Sequence, residues 1–480
     1  MGGRQDRDGT PVVVWFRDDL RLADNPALSA AAALKRPIVA LHVLDETPGR
    51  RPIGGASRWW LHHSLDRLGA DLAARGVRLV LARGPEADVV PGVVAEARAS
   101  AIHWNRRYGA EERATDAALK ERLRTDGVTV ESHSGNLLVE PWDVAPRSGG
   151  SFKVFTPYWK AARAAIGEAA PLPVPDLTPS PAEGPDGVPL AALRLLPRAP
   201  DWAGGLRDTW QPGEAGAAAR LRRFLEKGLP RYAARRDEPA ADAVSMLSPH
   251  LRHGEISVRT VRQAVLLAGE TKAVAPLNAA KFDTELGWRE FSYHLLFHHP
   301  DLPTRNFQSR FDGFGWRPDT EADLKAWQAG RTGYPIVDAG MRQLWATGFM
   351  HNRVRMITAS FLIKHLLIDW RIGEDWFFDT LVDADPASNA AGWQWVAGSG
   401  ADAAPFFRVF NPMLQGEKFD PDGAYVRRWV PELAGLSRNA IHRPWTVPGD
   451  HRALYPDPIV DHAHARDRAL TAFGRLRAAA

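Results

Sequence analysis

Cysteine is absent from the 480 residues. Disulfides, thiolate zinc sites, iron–sulfur clusters and cysteine nucleophiles are therefore excluded. A chain without disulfides suits a reducing compartment, and a cytoplasmic location is expected. No run of eighteen or more residues is both apolar and free of charge, so no membrane span is expected. The first nine residues are polar and charged, with no apolar signal core. A phosphate loop of the G-x-x-x-x-G-K-[ST] type is missing, and no G-x-G-x-x-G follows the first strand-like run. Gly398, Ser399 and Gly400 are a fragment of that pattern in the wrong context. The amino-terminal sheet is thus no standard dinucleotide binder, and a nucleotide cofactor would bind elsewhere. No metal-ligand set stands out, and no metal is expected. An excess of one charge sign is also lacking. Lys and Arg number 61 against 57 Asp and Glu, a net +4 that permits nucleic-acid binding without implying it.

The length suits two or three domains. Strand-like and helix-like runs alternate in the first third. Val12-Val13-Val14-Trp15 is a buried strand, and Asp24-Asn25-Pro26 starts a helix with Asp24 as its cap. Residues 37–43, 77–81, 101–104 and 128–130 read as further strands, with a helix over 57–75. This order predicts a doubly wound parallel sheet. From 140 to about 216 the chain is rich in Pro, Gly and Ala and reads as a long connection with a little local helix. Beyond Glu214 the pattern is helical. The expected layout is an α/β domain over 1–139, a linker over 140–205 and an all-α domain over 206–480. Tryptophan is abundant, 18 against 7 Tyr, and for most of them core filling is a sufficient reading.

Five motifs carry a resemblance. They are Trp15-Phe16-Arg17-Asp18-Asp19-Leu20-Arg21, Gly333-Tyr334-Pro335, Met350-His351-Asn352-Arg353-Val354-Arg355-Met356, Asp383-Ala384-Asp385 running to Asn389 and Gly392-Trp393-Gln394-Trp395, and Phe410-Asn411-Pro412 followed by Gly416-Glu417-Lys418. In this order and spacing they resemble the photolyase and cryptochrome family over nearly the whole chain, most weakly between about 160 and 215. The resemblance implies an α/β antenna-binding domain and a helical domain that holds FAD in a bent form. It also implies a reaction, in which light drives an electron from reduced flavin to a pyrimidine dimer flipped out of damaged DNA.

Site residues follow from the same motifs. Ser245, Met246, Leu247 and Ser248 lie where hydroxyls and amides near a helix start can cradle an anion; by themselves they read more readily as a plain Ser cap. In the family this turn holds the FAD diphosphate, with Tyr232 nearby, and Val244 replaces a common threonine. Asp385 and Pro386 start a helix that puts Asn389 and Trp393 on one face at i and i+4. The resemblance sets the Asn389 amide at flavin N5, where an amide can accept a proton or donate to the unprotonated ring. Arg355 and Asp383 match an ion pair beside the flavin. Phe282, Arg289, Asn352, Ala384 and Asp385 complete the implied flavin contacts. Trp393, Trp370 and Trp316 match a relay that feeds electrons to photo-excited flavin. Glu285, Trp288 and Arg289 share a helix face. Trp288 and Trp395 match the aromatic walls of a lesion pocket, where flat rings stack on flat bases. Glu285 matches a carboxylate that hydrogen-bonds the dimer, and Arg236, Arg353, Arg408 and Lys418 match phosphate contacts.

Three functions remain open at this point. Cyclobutane-dimer repair is favoured. A signalling cryptochrome usually carries a long tail, and this chain ends soon after Trp445. Repair of (6-4) lesions uses two pocket histidines, and Asn352 and Met356 stand at those positions, one helical turn apart. Neither offers a proton near neutral pH, and His351 beside them is expected to point away around the helix. The antenna implied by the segment 104–108 and by Glu140-Pro141-Trp142 is methenyl-tetrahydrofolate, with a deazaflavin or none as alternatives; Glu112 is a weak contact candidate, and His42 reads as a strand end. A monomer is expected.

Overall fold

A computed structural model describes residues 9–406 and 408–479. The charged amino-terminal stretch read above lies, apart from Gly9, outside them. Five parallel strands form one sheet in the order β3-β2-β1-β4-β5. They are β1 Val12–Trp15, β2 Ile38–Leu44, β3 Leu79–Arg83, β4 Ala101–Asn105 and β5 Thr129–His133. Val12 stands beside Ile38 on one side and Ala101 on the other, so β1 is central. The chain winds outward from β1 to β3, then crosses back to β4 and β5, which is the doubly wound pattern. Alternate β1 residues serve two cores. Val12 and Val14 pack with Leu28, Leu61 and Leu65 from the helices Pro26–Ala33 and Gly55–Ala73. Val13 and Trp15 pack with Val90, Val94 and Leu119 from Glu86–Glu96 and Ala110–Thr125.

One local expectation is corrected. Asn25, not Asp24, caps the first helix, its side chain accepting from Leu28 N. Asp24 is in the left-handed region at φ 48°. Its carboxylate turns outward to accept from Leu172 N (2.9 Å) and Ser257 Oγ (2.5 Å). Asx side chains serve either role, and here the distant partners decide.

The stretch after β5 is bound at many points. Ser180 Oγ donates to Ile38 O and Val188 N to Leu81 O, so this chain runs along the sheet domain. The helix Phe155–Ala165 packs instead on the long helix Pro276–His298. Gly287 makes that approach possible, because a Cβ there would lie 2.6 Å from the Trp159 ring. The remainder is helical. Glu214–Arg223, Val258–Glu270, Pro335–Thr347, Asn352–Ser360, Trp370–Thr380, Pro386–Ala397 and His462–Ala479 are its other longer helices. Among the described residues no helix is long and apolar enough to cross a membrane.

Candidate cofactor and substrate cavity

Helix starts build the site. Asp385 Oδ1 accepts from Ala387 N and Ser388 N and so caps Pro386–Ala397, while Oδ2 accepts from the Tyr293 hydroxyl at 2.6 Å. This fixes the helix against the long helix and sets Asn389 and Trp393 one turn apart. Gly373 leaves room for Trp393, since a Cβ would meet the indole at 2.2 Å. Asn389 Nδ2 donates to Glu374 O (3.0 Å) and Glu374 Oε1 (2.8 Å). Glu374 is held in turn by Arg51, at 2.9 and 2.6 Å, from the α/β half of the chain. Burial pushes the Glu374 carboxyl up, and Arg51 opposes the shift.

Between these helices lies a cavity of 770 Å³. Tyr232, Ser245, Met246, Ser248, Phe282, Glu285, Trp288, Arg289, Asn352, Arg353, Arg355 and Met356 line it, as do Asp383, Ala384, Asp385, Asn389, Trp393, Trp395 and Arg236. Arg355 Nη2 pairs with both Asp383 oxygens at 3.0 and 2.8 Å, and its Nε donates to Met350 O. Arg289 Nη2 donates to Asn136 Oδ1 at 2.5 Å. Burial pushes the neighbouring Glu290 carboxyl up to about 7, although Arg289 pulls it down. Trp288 is stacked on Phe155, centroids 3.8 Å apart and planes 8° apart.

Several expectations are modified. Leu247 is fully buried in the core behind Tyr232 and Phe282 and does not itself line the cavity; its amide donates to Ser245 Oγ. Ser248 opens a short helix but is not its cap, which is Leu247 without a side-chain bond. Met246 at φ 52° turns the backbone there. His351 does line the cavity, contrary to the expectation that it points away. It is the N-cap of Asn352–Ser360, so helical spacing does not govern its direction; Nδ1 accepts from Arg353 N. Burial pushes it down to about 4, so it is neutral near pH 7. Glu285 is ion-paired to Arg236, and Arg353 to Asp237 at 3.0 Å. Arg408 and Lys418 are exposed and outside the cavity lining. Trp370 also lies outside the lining but is fully buried, its indole donating to Asn306 Oδ1 at 2.9 Å; Trp316 is half-buried against Phe314.

Sequence reasoning missed Lys281 and Arg252, both in the lining. Lys281 is one turn before Glu285, so the helical period could have found it. Arg252 had no such signal. It donates to Ala384 O and pairs with Asp18 at 2.8 Å. Burial works against the Asp18 carboxylate, yet Arg252 and Arg107 together hold it at about 2.

The lining suits an elongated nucleotide. It offers an ion pair, an amide, hydroxyls at a backbone turn and one unpartnered buried nitrogen, Arg353 Nε, among apolar walls. A profile of the FAD binding domain of DNA photolyase matches residues 282–475, and one of DNA photolyase matches 12–176. A deoxyribodipyrimidine photo-lyase of Agrobacterium fabrum is 52% identical over 97% of this chain and 98% of its own length. The chain belongs to the photolyase and cryptochrome family. Cryptochrome-2 of Arabidopsis thaliana is 38% identical over 97% of this chain and 79% of its own length. The crystal structure of a bacterial class III photolyase from Agrobacterium tumefaciens superposes with a TM-score of 0.93 at 52% identity, covering 98% of each chain. The fold of this family member, and its FAD-binding domain, agree with the reading from sequence.

Proposed function

We propose that this photolyase-family chain repairs cyclobutane pyrimidine dimers in DNA under blue light. The observation that carries the proposal is the meeting, in one cavity, of a flavin-type polar floor and aromatic walls. Arg355, Asp383, Asn389 and the 245–248 turn would hold FAD, which when bound and reduced supplies an electron donor excited by light. Trp288 and Trp395 would sandwich the flipped-out bases, and Glu285 would hydrogen-bond them. Arg236, Arg353, Arg408 and Lys418 would receive the phosphates; the first two would exchange a protein carboxylate for DNA. Trp393, Trp370 and Trp316 would relay electrons inward.

Met356 offers an adaptable apolar wall, and the pocket histidine that is present, His351, is neutral and capped on Arg353 N. This supports cyclobutane dimers over (6-4) products, which need a proton donor. For the antenna, residues 104–108 and 140–142 support methenyl-tetrahydrofolate, to be checked by chromatography of the denatured protein. We further infer the role boundaries 1–139, 140–205 and 206–480 for antenna domain, linker and catalytic domain.

The test is repair of oligonucleotides, each carrying one lesion, by chemically reduced protein under blue light. Restoration of the cyclobutane dimer alone is expected. Restoration of the (6-4) product alone would refute the substrate assignment, and restoration of neither would favour a signalling flavoprotein.

A further inference from the structure

The sequence reading expected no metal, yet the sheet edge brings three ligand-type side chains together far from any use made of them above. In the β4–β5 ladder His103 stands beside Glu131, and Asn105 beside His133. Residues two apart in a strand share a face, so His103, Glu131 and His133 project to the same side. His103 Nδ1 and His133 Nε2 are 3.1 Å apart. Glu131 Oε2 is 3.8 Å from the first and 3.9 Å from the second. An ion at the centre of that triangle would stand about 2.1 Å from each atom, the usual length of a zinc–nitrogen or zinc–oxygen bond.

We propose that His103 Nδ1, His133 Nε2 and one Glu131 oxygen form a binding site for a divalent transition-metal ion, with water as the fourth ligand. Two imidazoles and a carboxylate are a donor set for zinc and its neighbours, not for calcium or magnesium. His103 is 2% exposed, whereas the Glu131 side chain is 54% exposed, so the site has a rigid floor and an open side for the ion and its water. Arg106 adds positive charge nearby but is tied to Glu140 at 2.6 Å. Without an ion, one of the two facing nitrogens carries a proton and donates to the other; binding moves that proton to the second nitrogen of the same ring.

The position gives the ion a structural role. β5 is an edge strand, and the chain leaving it supplies Asn136 to Arg289 and the Leu138 amide to Glu290, beside the cavity. An ion joining β4 to β5 would brace the origin of that support.

The test uses untagged, flavin-loaded full-length protein. Zinc uptake is measured by equilibrium dialysis with metal quantification, alongside the thermal midpoint and zinc-edge X-ray absorption. One saturable zinc per chain is expected, with a higher midpoint and a first shell of nitrogen and oxygen bearing imidazole scattering. Glu131→Gln and His133→Gln should each weaken uptake at least tenfold and abolish the midpoint rise. Both retain a hydrogen-bonding side chain at a partly exposed position, and unchanged flavin content shows that they fold. No saturable uptake, or uptake equal in both variants, would overturn the proposal.

Discussion

Arg17 in the α/β half and Arg355 in the helical half are both ion-paired arginines, and they serve opposite ends. Arg17 is 5% exposed, and among the described residues it bonds and stacks with its own domain. It pairs with Asp116 at 2.6 Å, donates to Asn105 O and lies 4.4 Å from the Trp15 ring centroid. Asp116 also accepts from Trp104 Nε1. Arg355 pairs with Asp383 but keeps a face on the cavity wall. The first network is enclosed by its own domain, with Arg17 Nε left unpartnered, and the second faces a cavity. A buried charge whose neighbours all belong to the fold specifies the fold, while one left facing a void prepares a site.

The comparison can be broken at its two arginines. Arg17→Ala leaves Asp116 buried without its cation and should cost about 3–5 kcal/mol of stability. Arg355→Ala also strips Asp383 of its cation, but Asp383 lines the cavity, where water can reach it in the flavin-free form, so the variant should cost less stability and instead empty the protein of flavin. Urea unfolding of the flavin-free forms, together with flavin quantification, checks both; equal stability losses in the two variants would remove the distinction.

A second cut tests whether the helical half is closely packed despite its cavity. Gly373→Ala drives a Cβ into Trp393 and should destabilise by about 1–3 kcal/mol. It should also slow photoreduction of oxidised flavin, as should Trp393→Phe, while repair by chemically reduced protein stays nearly intact. Normal photoreduction in both variants would show that another tryptophan route dominates.

Glu290 sharpens the contrast through pH. Its folded pKa, about 7, lies above the unfolded carboxylate value of 4.5. The native state therefore binds more protons between those values, and stability falls as pH rises through the window. In Glu290→Gln that fall should be absent, so the wild-type advantage over the variant should shrink from pH 4.5 to about 7. Parallel stability–pH curves would refute this.

The smallest effect is on DNA binding. Arg353→Ala and Arg408→Ala should each lower the log–log salt slope of DNA binding by about one unit. Because Arg353 is paired with Asp237, its loss frees a carboxylate and should weaken binding more than that of Arg408. An unchanged slope removes the residue from the DNA surface.

Much of this was legible in the chain itself. The largely apolar runs 12–15, 37–43 and 101–104 read as buried strands by their length and β-branched content, and their alternation with helices points to a parallel wound sheet. The cap at Asp385 determines where Asn389 and Trp393 point, because one turn of helix separates them. What the linear order could not decide lies in contacts between distant segments. Glu374, which holds Asn389, takes its cation from Arg51, and Arg252, which touches the cavity, is set by Asp18. His351 turned inward because a cap escapes the helical period, and Asp24 yielded its cap to Asn25 because Leu172 and Ser257 claimed its carboxylate. The triangle of His103, Glu131 and His133 exists only once β4 and β5 are in register. Local periodicity acts through neighbours along the chain and is written in the sequence. Pairing across hundreds of residues depends on which surfaces the packed halves bring into reach, and only the tertiary structure decides that.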